Sequence, residues 1–232
     1  MSESERVARA QLTSDYERIM AEGYRDRWAS SNPGNREIQR ERDAVLTALT
    51  RSALPARPLR VLDLGCGSLS ILPASIVVDL RIGVDLLIQR LIDLRSSGDE
   101  TPTVNGDGAH LPFPDETFDV VVLSTMMTSV LDDEVRRSVA AEVERTLRIG
   151  GAVLWYDMRM PNPRNKATRA VGRAELNRLF PTLRGEVKSL TVVPFVARRL
   201  GRFAPKGYAI LRRVPPARSH LAACLLKAAD NT

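Results

Sequence analysis

Apolar residues recur at helical spacing over residues 4–22 (Val7, Leu12, Ile19, Met20) and again over 36–52 (Ile38, Val45, Leu46, Leu49). Two helices are predicted there, separated by WASSNPGN at 28–35, whose Asn-Pro-Gly is a turn signal. Pro55 and Pro58 break the chain just ahead of Leu59–Leu64, an apolar run short enough for a buried strand. The pattern then alternates. A strand at 59–64, a glycine turn at 65–68 and a helix at 69–77 are followed by a strand at 81–86 and a helix at 87–96. A short strand near 102–105 leads to the most apolar strand, Phe118–Ser124, and then to a helix from about Asp132. That helix is expected to end at Ile149-Gly150-Gly151, because paired glycines supply left-handed backbone at a C-terminus. A strand at Ala152–Tyr156 and a helix at 173–180 come next. Residues 186–193 and His220–Leu226 read as further strands, with basic helices over 195–213 between them.

Short strands spaced by helices imply parallel βαβ units with both sheet faces covered. The expected fold is an α/β, Rossmann-like, doubly wound and mostly parallel seven-stranded sheet with an antiparallel edge strand. The expected organisation is a helical cap over residues 1–56 and a ligand-binding domain over 57–232.

The 232 residues are 44% hydrophobic and 27% charged, which excludes a chain disordered throughout. No apolar run approaches the roughly 20 residues of a membrane span, and MSESERVARAQ has no apolar signal core. A soluble cytoplasmic protein with no membrane partner is expected. Cys66 and Cys224 are too few for a disulfide framework or a four-ligand zinc site. Net charge is +6, and all but Lys166, Lys188, Lys206 and Lys227 of the 34 basic residues are arginines. The stretch 198–213 (RRLGRFAPKGYAILRR) concentrates them and would suit phosphates, yet it lacks an RNA-recognition signature and zipper heptads. A nucleic-acid partner stays open on that patch alone.

The chemistry gathers at strand ends. In Val61-Leu62-Asp63-Leu64-Gly65-Cys66-Gly67-Ser68, the glycines let backbone approach a ligand where a β-carbon would collide. Asp85 closes the second strand, twenty residues after Gly65, where a carboxylate can accept from both hydroxyls of a ribose. Gly106-Asp107-Gly108 follows the third strand and sets a second carboxylate where an adenine amino group would lie. Each has a plainer reading as a tight turn, a helix cap or a turn aspartate. Their joint order is what points to a nucleoside ligand.

With these pieces the sequence resembles the class I S-adenosylmethionine-dependent methyltransferases. The matching runs are VLDLGCG (61–67), IGVDLL (82–87), NGDGAHLPFPDETFDVVVLS (105–124) and LRIGGAVLWYD (147–157), covering about 59–157. The resemblance implies that S-adenosyl-L-methionine is the cofactor, with no metal. It implies that Gly65 and Gly67 line the methionine moiety, Asp85 holds the ribose, Asp107 with Gly108 meets adenine, and Asp63 organises the glycine loop. Cys66, Leu86, Gly106 and Ser124 complete the implied cofactor site. One departure is Leu69, where many members carry a third glycine. A nicotinamide dehydrogenase would want that glycine at Ser70, and no Tyr-x-x-x-Lys is present to support it.

For the acceptor, Asp157 after the fifth strand is the candidate general base or hydroxyl ligand, with His220 as a second catalytic candidate. Trp28, Met126, Arg159 and Asn162 are candidate acceptor contacts. The acid, arginines and asparagines of YDMRMPNPRN suit a small, polar, hydroxylated acceptor. Residues 155–226 also resemble, more weakly, methyltransferases of sugar, polysaccharide and natural-product biosynthesis. Methyl transfer to a hydroxyl of such a molecule is therefore expected. A nucleic-acid methyltransferase and a non-catalytic cofactor-binding protein stay open, as does a homodimer.

Overall fold

The computed structural model describes residues 6, 10, 13–14, 30–67, 72–162, 165 and 167–229. The first predicted helix, Trp28, Leu69 and Ser70 lie outside the described residues apart from those isolated positions.

Helix α1 runs Pro33–Ala53. Asn-Pro-Gly starts this helix as well as turning the chain, because Asn32 Oδ1 accepts from Gly34 N at 2.8 Å and Pro33 occupies the first turn. Strands β1 (Leu59–Leu64) and β2 (Val78–Asp85) follow. The helix predicted over 69–77 is absent from its described part, since residues 72–77 are irregular and β2 begins three residues early. Next come α2 (Ile88–Ser96), β3 (Thr103–Asn105), β4 (Phe118–Ser124), a 3₁₀ turn at Met127–Ser129 and α3 (Asp133–Thr146). Asp132 caps α3 by accepting from Glu134 N and Val135 N.

Strand β5 spans Leu147–Met158, so Gly150 and Gly151 lie inside a strand and not at a helix end. Gly150 sits at φ +77, and a β-carbon at Gly151 would come within 2.8 Å of the Asp119 carbonyl oxygen, so both glycines serve an irregular β4–β5 junction. The chain continues through α4 (Arg173–Leu179), β6 (Leu183–Val192), α5 (Pro194–Arg199), α6 (Ala204–Leu211) and β7 (Arg218–Lys227).

Among the described residues these strands form one seven-stranded sheet in the order β3-β2-β1-β4-β5-β7-β6. Strands β1 to β5 pair in parallel, while β7 pairs antiparallel with both β5 and β6. Period-two alternation divides the core. Leu62, Leu64, Val121, Leu123, Val153 and Trp155 pack on one face with Val139 and Val143 of α3. Val61, Val120, Val122, Leu154, Tyr156 and Ala222 pack on the other with Leu46 and Leu49 of α1. The strand order reverses beside β1, which opens a crevice at the carboxyl ends of β1, β2 and β4. No helix of the described residues is long and apolar enough to cross a membrane.

Candidate functional site

The glycine turn leaves β1 directly into that crevice. Gly65 and Gly67 sit at φ +71 and +51, a region that side-chain-bearing residues rarely adopt. The N–H groups of Gly65 and Cys66 both donate to the Val84 carbonyl, at 2.8 and 3.0 Å, which pins the turn to β2. Asp85 is 7% exposed, and it closes the other side. Its Oδ2 accepts from Gly67 N at 2.7 Å and its Oδ1 from Leu87 N at 2.9 Å. An ionised carboxylate offers about four acceptor positions, so this one keeps capacity for further hydroxyl donors. Asp63 lies beneath the turn, fully buried and paired with Arg81 of β2. Burial, with the charges of Asp63 and Asp85, raises the Cys66 thiol to about 12, so it stays protonated and acts as a wall.

The third predicted piece borders the same crevice. Asn105 Nδ2 donates to the carbonyls of Asp85 and Leu86, and Gly106 N donates to Asp85 O, joining the β2 and β3 ends. Asp107 Oδ1 accepts from Ala109 N at 3.0 Å, a turn contact that leaves the carboxylate partly exposed. Gly108 is buried, and a β-carbon there would lie 3.3 Å from Met126 Cε.

Met126 follows β4, and it lies across the glycine turn. A β-carbon at Gly65 would fall 2.4 Å from its Cγ. The side chain offered by sequence as an acceptor contact thus bridges Gly65 and Gly108. Arg90 of α2, which sequence reading passed over, reaches the same place. A β-carbon at Gly67 would fall 2.0 Å from its Nη2, and its Nε lies 4.0 Å from Asp85 Oδ2.

Strand parity sorts the acceptor-side candidates. Tyr156 packs on the α1 face, and Ser124, two residues beyond Val122, belongs to that face. His220 shares the face with Ala222. Its ring stacks on Tyr156 with centroids 4.9 Å apart and planes 11° apart. Burial, and then the positive charge of Arg42, lowers the imidazole to about 3, so it is neutral at ordinary pH. Its Nδ1 meets Ser219 Oγ at 2.9 Å. Arg42 of α1 stands over Tyr156, 5.8 Å from the ring centre, and its Nη2 is buried without a hydrogen-bond partner among the described residues.

Behind them Glu41 Oε2 accepts from both Thr191 N and Tyr208 Oη, while Tyr156 Oη meets Thr191 Oγ1 at 2.9 Å. Thr191 is buried at φ +65, a strained setting for a β-branched residue, and these bonds hold it there. Glu41 and Tyr208 stand 167 positions apart, and no local pattern signals this cluster beyond the polarity of its members.

Asp157 is placed elsewhere. It shares the α3 face with Trp155, is 1% exposed, and spends its carboxylate on Thr128 and on Met158 N. Burial pushes it up to about 6, against the pull of those bonds and of Arg136. This geometry corrects the expectation of an acceptor-facing base, because both carboxylate oxygens are already engaged inside the fold by Thr128 and Met158. Arg159 is likewise engaged, since Nε donates to Arg218 O at 2.7 Å and Nη2 to Pro215 O at 2.9 Å. Its role here is to tie the end of β5 to the start of β7. Asn162 is exposed on the following loop.

Residues 62–155 match the family model of a methyltransferase domain. A candidate methyltransferase of Encephalitozoon cuniculi is 35% identical over 131 residues, 55% of this chain and 60% of that protein. The chain therefore spans less than two thirds of that relative's length. Among solved structures, the candidate methyltransferase bound to the Trm112 activator in Haloferax volcanii superposes with a TM-score of 0.59 at 16% identity, covering 89% of this chain and 97% of that one. An S-adenosylmethionine-dependent methyltransferase of Mesorhizobium loti gives 0.55 at 19% identity, over 75% and 94% of the two chains. These two likenesses show the fold. Residues 62–155 thus match a methyltransferase domain, and the fold around them is shared with S-adenosylmethionine-dependent methyltransferases.

Proposed function

We propose that the whole protein transfers a methyl group from S-adenosylmethionine to a hydroxyl of a small polar acceptor, a sugar or other hydroxylated biosynthetic intermediate. The observation that carries the reading is the Asp85–Gly67 hydrogen bond of 2.7 Å, which clasps two positive-φ glycines against a buried carboxylate. Gly65, Cys66 and Gly67 would bear the methionine end, Asp85 and Leu86 the ribose, and Gly106, Asp107 and Gly108 the adenine. Asp63 would hold the turn and Ser124 the floor near the sulfur. Bound there, the cofactor supplies a methyl group already activated on a sulfonium.

What the chain adds is alignment. In-line displacement gains much from orientation and from the exclusion of water. Of the two catalytic candidates, His220 is the one on the α1 face, and its Nε2 makes no hydrogen bond to a described residue. As a neutral imidazole it can accept a hydrogen bond from the attacking hydroxyl and fix its direction while the O–CH3 bond forms, the S–CH3 bond breaks to leave S-adenosylhomocysteine, and the hydroxyl proton passes to solvent. Arg42, with an unsatisfied Nη2 beside Tyr156, supports an acceptor carrying several oxygens. The proposed division into a cap over 1–56 and a catalytic domain over 57–232 puts α1, and with it Arg42, on the cap.

The test is release of S-adenosylhomocysteine over a panel of sugars, glycosides and phenols. Turnover on hydroxylated acceptors, lowered in His220→Ala with cofactor affinity retained, is the expected outcome. Cofactor binding without turnover on any acceptor would reject the enzyme reading in favour of a binding protein.

A further inference from the structure

From Val187 to Ala229 the chain holds nine lysines and arginines and no aspartate or glutamate, while the rest carries 25 basic against 28 acidic residues. The surplus charge of the protein is therefore local. It is folded into α5, α6 and the strands beside them, and its outer surface is amphipathic in an unusual sense. Helix α6 turns Ala204, Tyr208 and the half-buried Leu211 inward, at positions i, i+4 and i+7. On its opposite side Lys206 and Ile210 face solvent, with exposed Phe203 just before the helix and exposed Arg213 just after it. Phe203 is 63% exposed and Ile210 66%, the highest exposures among the large apolar residues described. Arg199 and Arg202 flank them, and none of Arg199, Arg202, Lys206 and Arg213 forms an ion pair with a carboxylate of the described residues.

We infer that this face docks the protein on an anionic lipid bilayer, with Phe203 and Ile210 entering the headgroup boundary and the four cations meeting lipid phosphates. Apolar side chains held out in water between unpaired cations are what an interfacial helix carries. A nucleic-acid surface is less favoured by the geometry. The Phe203 ring is covered by its neighbour's guanidinium, with Arg202 Cζ 4.8 Å from the ring centre, and Phe195 is covered by Arg199 at 3.8 Å. Each ring thus has one face taken by a guanidinium, which leaves a base at most the other, and Ile210 offers no stacking face. Docking at a surface needs no spanning helix, so it is compatible with the lack of one among the described residues. The inference rests on this patch and not on the reaction proposed above.

The experiment is flotation of the full chain with phosphatidylcholine vesicles, with and without about one-third phosphatidylglycerol, at low and high salt. Binding to the mixed vesicles, lost on the neutral ones and weakened by salt, is expected. The Phe203→Ser/Ile210→Ser variant should bind roughly tenfold more weakly with all charges intact, and Arg202→Gln/Arg213→Gln should weaken binding and its salt dependence. Thermal melting of each variant separates lost docking from lost folding. Absence of binding to mixed vesicles, equal binding by the folded Phe203→Ser/Ile210→Ser variant, or displacement from vesicles by a short duplex RNA or DNA would each overturn the inference, the last in favour of nucleic acid.

Discussion

Thr128 holds the Asp157 carboxylate by two hydrogen bonds, from its N–H at 3.0 Å and from its hydroxyl at 2.7 Å. The pair stitches the 3₁₀ turn after β4 to the end of β5, out of reach of solvent. Since burial raises the folded-state pKa from an ordinary 3.8 to about 6, Asp157 contributes most to stability below pH 4, and that contribution falls as pH rises through 6. The loss amounts to about 3 kcal/mol at about 1.4 kcal/mol per unit. Urea midpoints of wild type and Asp157→Asn should therefore draw together, or cross, between pH 4 and 7, with wild type relatively stronger at the acid end. A pH-independent difference would show that the carboxylate is not strained by its burial.

The same residue shows what sequence could and could not supply. Strands β1, β3 and β4 and the antiparallel end of the sheet were legible because alternation and turn residues agree there. The glycine turn, Asp85 and Gly106–Gly108 were legible as a group because they close successive strands of one edge. Asp157 lies at the carboxyl end of β5 as Asp85 does at that of β2, but parity decides which face a side chain meets, and one position sends Asp157 to the α3 side and Tyr156 to the α1 side. Gly150-Gly151 failed for another reason. A glycine pair marks either a left-handed helix end or a close backbone approach, and here the approach to Asp119 O prevails. The Glu41–Tyr208–Thr191 cluster joins three distant segments, so nothing local announces it.

Asp85→Asn should weaken S-adenosylmethionine binding by roughly 10- to 100-fold, the worth of one or two charge-assisted hydrogen bonds. The amide keeps the shape but cannot accept from Gly67 N and from ribose hydroxyls with both of its terminal atoms. Calorimetric titration with S-adenosylmethionine and S-adenosylhomocysteine checks it. Unchanged affinity would move the ribose contact to another residue.

Gly65→Ala should destabilise the protein by about 1–2 kcal/mol from its positive φ alone. The collision with Met126 Cγ adds to that. Shortening the partner removes only the second part, so Gly65→Ala/Met126→Ala should be less destabilised than the two single changes added together. A double-mutant cycle in urea measures this, and strict additivity would mean that Met126 swings away freely.

His220 titrates in the opposite sense to Asp157. Its folded-state pKa lies near 3, below an ordinary 6.5, so it stabilises the fold fully above pH 6.5 and progressively loses that contribution as pH falls toward 3. The full span is worth about 4–5 kcal/mol. His220→Phe keeps a ring against Tyr156 and has no proton to take up, so its acid unfolding should begin at lower pH than that of wild type. Coincident acid transitions would place the imidazole in contact with water.

Arg136 offers the most stringent test of how the segments that follow β4 and β5 are held. It is 1% exposed, its Nε donates to Val130 O, one Nη pairs with Glu175 and the other donates to Arg169 O at 2.9 Å. One buried guanidinium thus ties the turn after β4 to the loop after β5 and to α4. Arg136→Met fills similar volume but leaves two carbonyls and a carboxylate short of a donor, which should cost about 3–5 kcal/mol. Glu175→Gln should cost less, because Glu175 is partly solvated and an amide oxygen can still accept. Hydrogen exchange gives the sharper discrimination. In Arg136→Met, protection should fall first at Val130 and at residues 167–171, while β1 and β4 keep theirs. Uniform loss across the sheet would instead make Arg136 a general support of the core, with no particular hold on the two loops.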